Sequence, residues 1–287
     1  MNQTELLNWL NSYQVNASKP LVMGIINLTP DSFFDKNKHT NIDLALDHAK
    51  QMIDDGVDII DIGGESTRPG AQPISLDEEL TRVIPFIEKL RKHNQDICIS
   101  IDTYKPEVMR QAIHSSANMI NDIYALQKSN ALQTAKELNV PVVLIHMQNN
   151  PTTMQINPNY SNDITDDIND FFTHRITACL NTGIERLNLI LDPGFGFGKT
   201  IKHNLSLLLD LIKFKKHNLP ILLGVSRKST LASILNKKTE DLLAGSLTME
   251  TFAIMQGASI LRVHDVSETK DTIAILNAIN SRSEINE

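Results

Sequence analysis

Between positions 192 and 200 the chain reads DPGFGFGKT, a run of glycines ending in Lys-Thr that first suggests a phosphate cradle. A P-loop needs G-x-x-x-x-G-K-[ST], and counting back from Gly198 puts Pro193 where the first glycine belongs. A dinucleotide loop needs G-x-G-x-x-G, whereas Gly194, Gly196 and Gly198 alternate strictly. Asp192 and its glycines therefore have to be read with other residues, and those stand at the ends of short apolar runs. In order they are Asn27, Glu65 with Thr67 and Arg68, Asp102, Asn121, His146 with Met147, Asp192, Ser226 with Arg227 and Lys228, and Arg262 with His264. Any one of them fits a turn or a helix cap. The whole series points to a pocket. Asp102, Asn121 and Asp192 lie inside or against apolar sequence, and since a buried carboxylate without a partner is costly, a ligand offering N–H groups is its natural complement.

The runs that must position these residues are VMGIIN, DIIDIGG, ICISID, MINDI, VVLIHM, LILDPG, ILLGVS and SILRVHD, rich in Val, Ile and Leu like strands buried on both faces. Between them the apolar residues recur at helical spacing, as in Leu44, Leu46, Ala49, Met52 and Ile53, or Leu80, Ile84, Ile87 and Leu90. Strand and helix alternate without a Ser/Gly linker. That pattern predicts a single-domain α/β fold, a (β/α)8 TIM barrel spanning residues 1–287, with 1–20 as an N-terminal extension and helix packing on the barrel. An open doubly wound sheet is the alternative. In a barrel the strand C-termini share one rim, which would bring the polar series together.

The balance of charge narrows the partners. A net charge of −7 gives no reason to expect nucleic acid or an anionic membrane surface, so an anionic substrate must be met by local cations. No basic leader with a long apolar run opens the chain, and no later segment approaches the roughly 20 apolar residues of a membrane span, so a soluble, cytoplasmic protein is expected. Cys98 sits in an apolar run and Cys179 in a helical pattern, so both read as small core residues, with neither disulfide nor metal site.

Eight blocks, MGIINLTPDSF, DIGGESTRPGA, SIDTYKPEV, INDI, HMQ, DPGFGFGKT, LLGVSRKS and ILRVHDV, occur in order at the expected strand ends. On these the chain resembles the dihydropteroate synthases, of the pterin-binding barrel family, from about Leu21 to Asp271. The resemblance implies condensation of 6-hydroxymethyl-7,8-dihydropterin pyrophosphate with 4-aminobenzoate, giving 7,8-dihydropteroate and pyrophosphate on the folate pathway. It further implies a ring edge read by Asp102, Asp192, Asn121 and Lys228. Those residue types suit such an edge, since carboxylates take ring N–H groups, an amide serves donor and acceptor, and a lysine meets carbonyl or ring acceptors. The glycines of 194–198 are then expected to let the backbone approach a flat ligand, with Phe197 as an apolar wall or simply packed beneath the loop. Lys199 is expected to stabilise that loop, Met147 to line the pocket, and His146 to be a core residue.

Arg262 and His264 are alternate residues on one strand and share a face, so with Arg68 they are expected to clamp the pyrophosphate. The resemblance implies Mg²⁺ with Asn27 as its one protein ligand; by itself Asn27 would read as a turn residue. Thr67, Arg68, Pro69 and Ser229 are expected near aminobenzoate and the outer pterin pocket. The residues expected to act in the reaction are Asn27, Arg68, Asp102, Lys228, Arg262 and His264, in an SN1-like displacement of Mg²⁺-bound pyrophosphate needing no general base. A homodimer is expected, with Leu247, Phe252 and Ile254 as exposed apolar residues compatible with it. Two loops depart from the family pattern: 34–38 has no glycine, and 149, 150 and 152 are Asn, Asn and Thr. A methyltransferase of the same family, a non-catalytic pterin-binding paralogue and an unrelated phosphosugar barrel are the rival readings.

Overall fold

The structure is a computed structural model that describes residues 1–13, 19–29 and 38–281, without the side chains of 38–41. Of the glycine-free loop at 34–38, residues 34–37 therefore lie outside the described residues and Lys38 begins a helix. In chain order the elements are α1 (Gln3–Ser12), β1 (Leu21–Asn27), α2 (Lys38–Asp54), β2 (Ile59–Gly63), α3 (Leu76–His93), β3 (Cys98–Asp102), α4 (Pro106–His114), β4 (Met119–Asp122) and α5 (Ala131–Leu138). They continue with β5 (Val142–Ile145), α6 (Ile164–Thr182), β6 (Leu189–Asp192), α7 (Ile201–Leu209), β7 (Leu222–Leu223), α8 (Ser229–Leu235), α9 (Leu243–Met255), β8 (Ile260–Val263) and α10 (Val266–Asn280).

The eight strands form one parallel sheet in the order β6-β5-β4-β3-β2-β1-β8-β7. Its two ends meet through a bridge between Leu191 and Ile221 and the Leu191 N–H donating to Pro220 O at 2.9 Å, so the sheet is a nearly closed barrel and not an open doubly wound sheet. The seventh strand is shorter than its apolar run implies, for Pro220 before it and Gly224 after it interrupt the ladder.

Strand alternation sorts the side chains into two cores. Outward residues such as Ile60, Ile62, Ile99, Ile101, Leu261 and Val263 pack with the helices. The inward residues at the bottom, Met23, Ile59, Cys98, Met119, Val143, Ile190, Leu222 and Ile260, form a second cluster. One step of two residues up the same face the chemistry changes to Asp61, Ser100, Asn121, Asp192 and Arg262. The barrel is apolar at its base and polar above it.

The base is closed by α1. An Asn2/Glu5 capping box starts this helix, with Glu5 N donating to Asn2 Oδ1 at 2.9 Å and Asn2 N to Glu5 Oε2 at 2.8 Å. Leu6 and Leu10, one turn apart on one face, are buried against the inner cluster. Two further ties fix the helix: Cys98 N to Met1 O at 2.7 Å, and the Tyr13 hydroxyl with Ser259 Oγ at 2.8 Å. Both cysteines are buried and free, and among the described residues no helix is long and apolar enough to cross a membrane. Leu247, Phe252 and Ile254 are half-buried, not exposed, and Phe252 and Ile254 pack on the core from either side of Ala253, which lies on the inward face of α9. The apolar surface near them is instead Met255, Ile275 and Ile279. Leu6→Ala should leave a cavity under the barrel and cost about 2–5 kcal/mol of stability, read as a lower denaturant midpoint with an unchanged slope.

Candidate active site

Two carboxylates on neighbouring strands face the barrel axis, and one cation from β8, two places from β2 in the sheet, reaches both. Arg262 on β8 donates from Nε to Asp61 Oδ2 at 2.7 Å and from Nη2 to Asp102 Oδ2 at 2.9 Å. Asn121 on β4 donates from Nδ2 to the same Asp61 oxygen at 3.0 Å. Asp61 and Asn121 are 0% exposed. Burial, and after it the nearby carboxylates, push Asp102 up from the ordinary range against the pull of Arg262.

Asp192, at the end of β6, is also buried, and its Oδ1 accepts the N–H of Gly194 at 2.7 Å. Burial raises its pKa while Lys228 opposes the rise. Lys228 approaches from the turn after β7, donates to Phe195 O and lies 4.6 Å from the centroid of the Phe197 ring. Its ammonium is pulled down to about 8 by burial, against the attraction of Asp192. The turn that delivers Lys228 is strained at Arg227, whose φ of 55° lies in the left-handed region. Two bonds to Asp265, at 2.9 and 2.5 Å, and one from Arg227 N to Ser246 Oγ at 3.0 Å hold it there.

His264 stands just past β8, with Nδ1 at 3.2 Å from Ser226 Oγ. Burial and then the charge of Arg262 pull its imidazole down to about 4, so it is neutral at pH 7. Arg68 adds to that lowering from the loop after β2, where Arg68, Pro69 and Gly70 are exposed and Thr67 is half-buried. Glu65 anchors the base of this loop. It accepts Ile74 N at 3.2 Å, the Tyr104 hydroxyl at 3.0 Å and Lys105 Nζ at 2.5 Å, and Lys105 is paired in turn with Glu79. The loop tip is tied by Gly70 N to Pro151 O at 3.0 Å. Asn27 ends β1, half-buried; a Cβ placed on Gly63 would lie 3.5 Å from its Oδ1 and 3.8 Å from Asp102 Oδ2. Ser229 is exposed at the start of α8.

The glycines of 194–198 all turn the backbone at positive φ, and Gly194 also makes a close approach to protein. A Cβ on Gly194 would stand 1.8 Å from His146 O, at a φ of +70° that already disfavours other residues. The close approach at Gly194 is to the backbone after β5, and only Gly196, whose Cβ would meet Lys228 Cδ at 3.2 Å, borders the pocket. Lys199 holds this junction: Nζ donates to Gly194 O at 2.8 Å and Phe197 O at 3.0 Å and lies 3.0 Å from His146 Nδ1. Burial drives both Lys199 and His146 well below their ordinary pKa values, so this pair binds loop to loop. Phe195 is fully buried, while Phe197 is half-buried against the inner cluster together with Met147.

The barrel mouth thus gathers Asp102, Asn121, Asp192, Lys228 and Arg262, with Asn27 and His264 at the rim and Thr67, Arg68, Pro69 and Ser229 on outer segments. Sequence reasoning passed over Asp61, although it stands two residues beyond Ile59 in DIIDIGG, in phase with the inward face. That phase was the available signal. It also passed over the Glu65–Lys105–Glu79 cluster, for which spacing gave none.

Comparison with known proteins agrees with this architecture. The family described as pterin binding enzyme matches residues 23–264. The dihydropteroate synthase of Escherichia coli (strain K12) is 47% identical over 270 residues, 94% of this chain and 95% of that protein. Among solved structures, a Yersinia pestis dihydropteroate synthase in a sulfonamide drug complex has 46% identity and a TM-score of 0.88, covering 94% of this chain and 96% of that one. A Xanthomonas albilineans dihydropteroate synthase with 4-aminobenzoic acid has 40% identity and a TM-score of 0.86, covering 93% and 95%. With the blocks of the sequence set on one barrel rim and such relatives over nearly its whole length, the chain belongs to the pterin-binding enzymes and, among them, to the dihydropteroate synthases.

Proposed function

We propose that this transferase joins 6-hydroxymethyl-7,8-dihydropterin pyrophosphate to 4-aminobenzoate, with 7,8-dihydropteroate and pyrophosphate as products, in folate biosynthesis. The observation that carries the reading is the hydrogen-bonded group of Asp61, Asp102, Asn121 and Arg262, with Asp192 and Lys228 at the same barrel mouth. Asp102 and Asp192 accept N–H groups of the pterin edge, Asn121 adds an amide, and Lys228 donates to a ring acceptor. Phe197 forms an apolar side wall. A charge-assisted bond of this kind is worth roughly 1.5–3 kcal/mol, so rings without matching groups bind much less well.

The diphosphate lies toward Arg68, Arg262 and His264. The neutral state of His264 makes it an N–H donor to the incoming phosphate, and the arriving negative charge favours its protonation. Mg²⁺ is compatible with the residues present: Asn27 and the Asp102 carboxylate both border Gly63, so Asn27 offers one neutral oxygen on the rim near that carboxylate's strand, and among the described residues there is no cluster of three or more His, Cys, Asp or Glu suited to a metal. An ion that takes most of its ligands from phosphate and water fits such a site, with Asn27 as its protein ligand. When bound, it neutralises charge that builds on the departing pyrophosphate.

The bond between the pterin methylene carbon and the pyrophosphate oxygen breaks first, its electron pair leaving with pyrophosphate. Arg68 and Arg262 stabilise the departing anion, while Asp102 and Asp192 offset the positive charge left on the pterin. The neutral aryl amine then attacks the methylene and its proton passes to solvent. No general base is needed. Thr67, Pro69 and Ser229 border the aminobenzoate. The enzyme works in the cytoplasm as a homodimer, and the exposed Met255, Ile275 and Ile279 supply an apolar surface for that association.

Incubation with the pterin pyrophosphate, Mg²⁺ and 4-aminobenzoate should yield dihydropteroate by mass spectrometry; pterin binding without product would favour the non-catalytic paralogue. Lys228→Ala should weaken pterin binding by about tenfold or more, whereas Thr67→Ala or Pro69→Ser should raise the KM for aminobenzoate with little change for pterin. Equal losses for both substrates would count against this division. Because Lys228 carries its charge below about 8 and loses it above, pterin affinity should fall as pH rises through that value, and calorimetric titration of Lys228→Met should lack that fall.

A further inference from the structure

Asp61 occupies a place that a barrel interior ordinarily gives to an aliphatic residue, between Ile59 and Gly63 on the inward face of β2. Its Oδ2 takes both Arg262 Nε and Asn121 Nδ2, and its Oδ1 is buried without a partner. An ionised carboxylate only accepts hydrogen bonds. Whichever end of the Asn121 amide faces it must therefore be the NH2 end. The carbonyl end, Asn121 Oδ1, is then directed elsewhere, and it too is buried with no partner. The same carboxylate orients Arg262. With Nε on Asp61 and Nη2 on Asp102, the guanidinium plane is held at two points from two different strands. Arg262 is thereby shared, and the charge of Asp102 is not matched by a cation of its own.

We propose that Asp61 is a positioning residue for the pterin site: it turns the Asn121 amide so that its carbonyl receives a donor of the ring edge, and it holds Arg262 between the two carboxylates. With Asp102 and Asp192, the floor then presents three acceptors in succession and selects a heterocycle bearing several N–H groups. This rests on the pterin-site reading above. A neutral amide at position 61 can face Asn121 with either end, so the neighbouring amide loses its fixed sense and Arg262 settles on Asp102 alone.

The test measures, by calorimetry, binding of the dihydropterin pyrophosphate and of its analogue lacking the exocyclic amine to the full chain and to Asp61→Asn. The parent chain should prefer the amine-bearing ring strongly. Asp61→Asn should lose about tenfold or more affinity for it, and its preference over the analogue should shrink to a few-fold, while the KM for 4-aminobenzoate stays within about twofold. A purely structural role would weaken both ligands alike and leave the preference intact, and that result would overturn the proposal, as would unchanged affinity. Asp61→Ser gives the same readout if circular dichroism shows that Asp61→Asn does not fold. Combining Asp61→Asn with Asn121→Ser should cost no more preference than Asn121→Ser alone; additive losses would count against action through Asn121. If the parent chain binds neither ring, the pterin-site reading fails and the role of Asp61 falls with it, an outcome distinct from the loss of preference in Asp61→Asn alone.

Discussion

Charge inside a barrel has to be matched, and here the match is a single guanidinium laid across two carboxylates. Arg262 comes from the last strand, Asp61 and Asp102 from the second and third, so the pairing spans the β8-β1-β2-β3 part of the sheet. Such buried ions bring little net stability, since desolvation offsets most of their attraction, but removing one partner leaves an uncompensated charge. Their value is geometric. With Arg262 on both carboxylates and Asn121 on Asp61, Asp102 and Asn121 have defined orientations, and both reach the space above the apolar base.

That base makes the polar floor tolerable. Below the charged layer every strand contributes an aliphatic, sulfur-containing or similarly apolar residue, and α1 covers them from outside with Leu6 and Leu10. Water is excluded from beneath, which strengthens each electrostatic contact in the layer above. Above it, the loops are also tied to one another. The segment after β5 meets the β2 loop through Pro151 and the β6 loop through His146, Gln155 and Tyr160, whose side chains or carbonyls contact the glycine segment.

Much of the fold was legible because strand runs buried on both faces announce themselves, and polar residues at their ends could be placed on one rim before any coordinates. Asp102, Asn121 and Asp192 were found in that way. Asp61 was missed because it sits within its run, where a charged residue reads as an interruption unless the two-residue phase of the strand is followed. The role of Gly194 could not be read at all, since it depends on the His146 carbonyl, a contact between loops distant in sequence. Nor could Arg227, whose left-handed backbone depends on Asp265 and Ser246. The half-burial of Phe252 and Ile254 reflects the rotation of α9 about its axis, and helical spacing alone does not fix that rotation.

Depth also divides this protein's freedom to vary. Arg68 lies exposed on a loop anchored at its base by Glu65 and tied at its tip by Gly70 N to Pro151 O, and an exchange at such a position usually shifts folding free energy by no more than about 0.5 kcal/mol, whereas Gly70 is held by its φ of 81°. Asp61, Asn121 and Asp192 have no such latitude, because each is sealed among charges and strands that also maintain the cylinder. Heritable change can therefore accumulate on the outer lip of the cup while its bottom stays fixed, and over generations the two ends of one bound molecule would be recognised by surfaces evolving at different speeds.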